Sequence, residues 1–212
     1  MILQENLDLI CQYLDQYYAL WASSCPAGLR QEAKLPDWTI EDGGVPQPMQ
    51  AGEIDQGGYV TWKMLPSTLK EESIIAVETE FNVRFPPLFR AYLTARFHLF
   101  SELSFSEGSE TVSILLPALP CDNPLGELRG FIDWGPFLHT GFVPFGDYQI
   151  GYGPLCFDST KQLPDGDCPV VWFDHDELFS LSEEQLGNRE SVEPLAHPLF
   201  SSFRELLAKI FE

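Results

Sequence analysis

The chain has 212 residues, 44% hydrophobic and 13% aromatic, which is too apolar for a disordered chain and long enough to bury one sizeable core. Against 32 Asp and Glu stand 12 Lys and Arg, a net charge of −20, and a surface of that sign repels the phosphate backbone that a direct DNA or RNA binder must neutralise. Cys11, Cys25, Cys121, Cys156 and Cys168 are odd in number and irregularly spaced, which suits small reduced core residues better than a disulfide framework.

Leu7, Ile10, Cys11, Leu14, Tyr17, Tyr18 and Trp21 recur at three- and four-residue intervals and predict an amphipathic helix over 4–23. The opening MILQENLDLI places acids ahead of any sustained apolar stretch, so neither a secretory signal nor a basic transit peptide is expected. No window approaches the run of about 18 apolar residues that a membrane span needs, and the expected location is cytoplasmic. From Pro26 to Gly58 the periodicity disappears, with Pro36, Gly43, Gly44, Pro46, Pro48 and Gly52 breaking any regular element. That stretch reads as a long surface connection, making residues 1–58 a helix and Pro/Gly-rich extension packed on a main domain over 59–212.

Tyr59–Met64 has the β-branched and aromatic content of a short strand. Thr68 is placed to cap a helix, with Glu71 reaching back to complete a capping box and Ile74, Val77 and Phe81 facing inward. Asn82 follows the last apolar position as a left-handed cap, and Pro86-Pro87 opens a second helix bearing Leu88, Phe89, Tyr92, Leu93, Arg96 and Phe97. The rhythm then changes to strand-like runs at Leu103–Phe105, Val112–Leu116, Phe142–Phe145, Leu155–Phe157 and Val170–Phe173, several of which should pair in one antiparallel sheet. Leu125–Trp134 reads equally as a short helix or an irregular segment. Leu199, Phe200, Phe203, Leu206, Leu207, Ile210 and Phe211 mark a C-terminal amphipathic helix with Pro198 in its first turn. The fold class expected is α+β, an antiparallel sheet packed with helices and an extra helix at the N-terminus.

The familiar catalytic signatures are absent: there is no G-x-S-x-G elbow, Walker sequence, G-x-G-x-x-G after a strand, or H-E-x-x-H. His98, His139, His175 and His197 lie far apart and none is in ligand spacing with a cysteine pair, so neither a zinc site nor any cofactor is expected. Asp174-His175-Asp176-Glu177, directly after an apolar strand, is the one dense polar cluster; it reads first as a solvated strand end and second as a group able to hold a metal or share a proton. Asp165-Gly166-Asp167 lacks the alternating ligands and terminal Glu of a calcium loop and reads as a turn. Cys156 alternates with Leu155 and Phe157 and reads as a packed thiol.

The helix carrying Glu78, the run Phe81-Asn82-Val83-Arg84-Phe85-Pro86-Pro87-Leu88-Phe89-Arg90-Ala91-Tyr92-Leu93, and downstream Val143-Pro144-Phe145-Gly146 and Leu155-Cys156-Phe157-Asp158 together resemble the SUKH superfamily over roughly residues 65–178. Smi/Knr-type domains, many bacterial immunity proteins and, distantly, the SecY-interacting Syd belong to that superfamily. Asn82 stands where the family pattern has Gly. The resemblance implies helices packed on an antiparallel sheet, no catalytic activity, and a surface for a specific protein, in bacterial members often a toxin.

Charge points the same way. Residues 1–99 carry 13 acids and 7 bases, net −6, whereas 100–190 carry 16 acids and 3 bases, net −13. An acidic inhibitor is steered rapidly to the basic surface of a nuclease-like toxin. The expectation is a non-catalytic domain that binds a basic protein, probed at Asp147, Asp158, Asp174, Asp176 and Glu177. The alternatives are a Smi/Knr-type regulatory scaffold using residues 1–58 as an added docking surface, and a metal- or thiol-dependent enzyme built on Cys156 and His175.

Overall fold

In the computed structural model of the chain, which describes residues 2–35 and 43–211, the amphipathic stripe near the N-terminus forms helix α1, Gln4–Ser24. Ile10, Tyr13 and Leu14 are buried, and the Tyr13 and Tyr17 rings lie 5.6 and 5.2 Å from Phe211 near the other end of the chain. The stretch after α1 is not the surface connection its composition suggests. A 3-10 turn at Pro26–Leu29 leads into β1, Arg30–Glu32; a second at Gln47–Met49 leads into β2, Gln50–Ala51; and both strands flank β3, Tyr59–Trp62, in a three-stranded sheet of order β1-β3-β2. Leu29, Ala33, Val45 and Met49 are buried, each where the chain turns inward, so apolar anchors too sparse to show a period still fix the segment. Pro36 lies outside the described residues. In β3 exposure alternates, burying Val60 and Trp62, as half-buried strands do.

Next come β4, Leu65–Pro66; α2, Glu71–Phe81; α3, Pro87–Ala95; and β5, Arg96–Phe97, which pairs with β4. The Thr68/Glu71 capping box does not form. Lys70 is the N-cap with no side-chain cap, and Glu71 instead reaches the Arg90 guanidinium at 3.1 Å, since a buried cation attracts a carboxylate more strongly than a backbone N–H does. Asn82 ends α2 in the left-handed conformation (φ 53°, ψ 44°), and Pro87 takes the first position of α3. Arg96 and Phe97 leave the helix because they pair with β4. Glu78 and Arg90 are both buried: one Glu78 oxygen accepts from Arg90 Nε (2.9 Å) and the Phe85 N–H (2.7 Å), the other from Arg90 Nη2, which locks the α2–α3 corner.

The second half supplies β6, Glu102–Glu107; β7, Glu110–Leu115; α4, Gly126–Ile132; β8, Phe142–Tyr148; β9, Gly153–Asp158; β10, Val170–Trp172; the short helices α5, His175–Phe179, α6, Glu183–Leu186, and α7, Arg189–Val192; β11, His197–Phe200; and α8, Phe203–Phe211. All five expected runs fall in one antiparallel sheet of order β11-β10-β9-β8-β7-β6, so the fold is α+β. The sixth strand is a correction. Pro198, Leu199 and Phe200 form an edge strand, where proline's missing N–H costs few ladder bonds, and the helix starts only at Phe203. Buried Asp167 caps that helix from a distant loop, accepting from the N–H groups of Phe203 (3.3 Å) and Arg204 (3.0 Å).

Two cores share the sheet. Val143, Phe145, Leu155 and Phe157 join the main core with residues of α1, α3 and α8, while Phe142, Cys156, Val171 and Phe173 pack with Leu178 and Val192 of the short helices. Covered on both faces, β9 is buried at every position. Phe105 of one edge strand meets Phe200 of the other, ring centroids 5.3 Å apart, so the sheet curls with α8 against both edges.

Candidate protein-binding face at the hairpin tip

The β8–β9 hairpin turns through Gln149, Ile150 and Gly151, all with positive φ (47°, 52° and 102°). Ile150 is β-branched, and its Cβ opposes that conformation, so the turn is held from outside. Asp147 does this from the strand by accepting from the Gly151 N–H, and α5 does it from the side. The His175 N–H donates to the Tyr152 carbonyl at 2.8 Å and His175 Nδ1 donates to the same oxygen at 2.9 Å. Such an approach requires glycine at 153, where a Cβ would stand 2.0 Å from the Phe173 carbonyl oxygen and 2.9 Å from His175 N.

The result is a firmly held tip whose apolar side chains face solvent: Ile150 is 52% exposed, Tyr152 54% and Phe179, at the end of α5, 73%. His175 links them, its ring 5.8 Å from that of Phe179, which stacks on half-buried Trp134 at 6.0 Å. Around this group stand carboxylates. Asp174 caps α5 by accepting from the Asp176 N–H (2.8 Å); Asp176 Oδ1 lies 3.2 Å from His175 Nε2 with most of its side chain in solvent; and Glu177 faces His197 at 3.8 Å. Exposed Glu183 and Glu184 follow in α6. Asp174, Asp176, Glu177, Glu183 and Glu184 lie within residues 162–188, a stretch that contains no Lys or Arg.

Four of the five sequence-derived residues, Asp147, Asp174, Asp176 and Glu177, therefore meet around the hairpin tip and α5. Asp147 is half-buried; burial pushes its carboxyl up, against the opposing effects of the Gly151 N–H and His175. Asp158 is a correction. It is buried and held by Arg189 Nη2 at 3.0 and 2.9 Å and by Lys161 at 3.1 Å, so a partner cannot reach it. Burial opposes its charge, yet bonds from Arg189, Thr160 and Lys161 outweigh that and keep its carboxyl below the ordinary range. Its partner Arg189 also lies over the Phe142 ring, 4.3 Å from the centroid, tying α7 to the sheet. Sequence reasoning missed Ile150, Tyr152 and Phe179. The available signal was an apolar side chain on each side of Gly151 and another closing a five-residue acidic helix.

Cys156 is fully buried, its thiol 3.8 Å from the Pro154 carbonyl and pushed well up by burial, which suits a packed thiol rather than a nucleophile. No hydrogen bond joins it to His175 among the described residues, and no group of three or more His, Cys, Asp or Glu there converges as a metal site. No described helix is long and apolar enough to cross a membrane. No protein-family model matches the chain, and no curated protein is significantly similar to it.

Proposed function

We propose that this chain is a non-catalytic protein-binding domain of the SUKH type, that its partner presents a basic surface, and that it acts in the cytoplasm as an immunity protein neutralising a basic toxin. What carries the reading is the juxtaposition at the hairpin tip: three exposed apolar side chains, Ile150, Tyr152 and Phe179, beside the acids Asp174, Asp176 and Glu177. Apolar anchors that bury on contact supply affinity, and a rim of one charge sign supplies rate and partner choice. Enzyme chemistry finds less support, because Cys156 is sealed in a core and His175 is engaged in positioning the hairpin.

The test is affinity capture with the purified chain from lysate of its source organism, alongside the Tyr152→Ala/Phe179→Ala and Asp176→Lys/Glu177→Lys variants. A basic protein retained at low salt, weakened at high salt and lost by both variants is the expected result; if that protein proves toxic alone and harmless with the chain, the immunity role follows. Capture of a housekeeping complex would favour the regulatory scaffold. A basic protein held equally by wild type and both variants would remove this face from the account.

A further inference from the structure

Away from the hairpin tip, α1 and the N-terminal sheet build a cavity of 430 Å³ against the start of β6, lined by Tyr17, Trp21, Trp62, Phe100 and Glu102 among others. Its volume is in the range of small-molecule sites. The rings form walls at steep angles: Tyr17 meets Phe100 at 4.8 Å and 73°, Trp62 meets Phe100 at 4.9 Å and 75°, and Trp21 stands 6.1 Å from Tyr17 at 58°. Trp62 and Phe100 are buried, while Tyr17 and Trp21 are half-buried.

Trp21 is held by close packing on Gly28. Its six-membered ring lies against Gly28, where a Cβ would stand 2.1 Å from Cζ3 and 2.4 Å from Cε3, although the backbone there needs no left-handed conformation. Glycine is required at 28 so that the indole can lie over the turn. Glu102 is the only charged residue of the lining. Burial raises the Tyr17 phenol above its ordinary value, a hydrogen bond with Trp21 opposes this, and the Glu102 charge adds to it. Behind Phe100, His98 is buried and its ring is driven towards the neutral form, so it offers no opposing cation.

Aromatic faces carry negative potential, and several converging rings with a carboxylate at the edge attract an alkylated ammonium ion, whose low hydration lets it enter. The described cation–ring contacts are Arg30 on Tyr59 and Arg189 on Phe142, neither at this cavity. We propose that the cavity binds a quaternary or highly alkylated ammonium group against Tyr17, Trp21 and Phe100, with Trp62 backing Phe100 and Glu102 as counter-charge. The residues involved belong to α1, the N-terminal sheet, β6 and the strand entry before it, none of which contributes to the hairpin face, so the proposal stands apart from the partner reading.

Isothermal titration of the full chain with choline, with the uncharged carbon isostere of choline, and with a short peptide carrying trimethyllysine tests it. Choline or the peptide should bind at least about tenfold more tightly than the isostere, the cation–ring and ion-pair share of the contact. Whichever of the two binds better assigns the source as a free solute or a modified side chain. Trp21→Leu, Gly28→Val, which displaces the Trp21 ring, and Glu102→Gln should each weaken binding severalfold, with unchanged circular dichroism as the folding check. Equal affinity for the isostere, no binding of either cation, or full binding in folded Trp21→Leu and Glu102→Gln proteins would overturn the proposal.

Discussion

His98 is buried between the rings of Tyr92 (5.5 Å) and Phe100 (5.9 Å), with no well-aligned hydrogen bond to either ring nitrogen among the described residues and only the Phe100 backbone opposing the effect of burial. Burial pushes its pKa down to about 3, whereas in the unfolded chain it titrates near about 6.5. The unfolded state therefore binds the extra proton between these values. The stability that depends on neutral His98 is present well above pH 6.5 and is lost progressively as pH falls from there towards the folded value. Replacing it with Leu should leave stability at pH 7 unchanged or higher by about 1 kcal/mol, because an unsatisfied polar group is removed, and should flatten the decline between pH 6.5 and 5. Urea unfolding of both proteins at pH 7, 6 and 5 checks this. Parallel declines would mean that His98 has a partner in the folded state. The same logic separates the acids: Asp158 is paired with Arg189 and closed to a partner, while Asp176 and Glu177 are exposed.

At the scale of elements, the α2–α3 corner depends on Arg90, which pairs with buried Glu78 and also with Glu71. Arg90→Ala leaves the Glu78 carboxylate uncompensated and should cost about 3–5 kcal/mol, whereas Glu78→Leu/Arg90→Met, which removes both charges, should recover most of that loss. Thermal unfolding of the three proteins decides between this and a corner held by apolar packing alone, in which the double variant would be no better than the single one. Asn82 supplies the left-handed cap at the same corner, so Asn82→Gly should be tolerated within about 0.5 kcal/mol. The corner's backbone was legible in the sequence, since Asn82 and Pro87 act on their own dihedrals. The ion pair was not, because no local rule joins residues twelve apart across a turn.

For the whole molecule, residues before β3 are part of one core rather than an appendage. Ile10, Leu14, Leu29, Val45 and Met49 are buried in the same cluster as Phe89, Phe145 and Phe203. Residues 59–212 expressed alone should aggregate or bind hydrophobic dyes, since truncation removes β1 and β2 from the sides of β3 and uncovers the seat of α1; a soluble fragment with cooperative unfolding would contradict this. Strand runs and long helices were readable because their periods reflect repeated burial. The segment after α1, the edge strand His197–Phe200 and the Asp167 cap were not, because single anchors and distant partners leave no period. At the hairpin face the acids were legible by composition, while Ile150, Tyr152 and Phe179 required three dimensions to become neighbours. The central claim is that this face binds a basic protein, and its most direct test is the dissociation constant for the captured partner from 50 to 500 mM salt, roughly spanning strong to weak screening, for wild type, Phe179→Ala and Asp176→Asn/Glu177→Gln. The account predicts about a tenfold or greater loss for Phe179→Ala at every salt concentration and a shallower salt dependence for the neutralised pair. Three superimposable salt curves would contradict it.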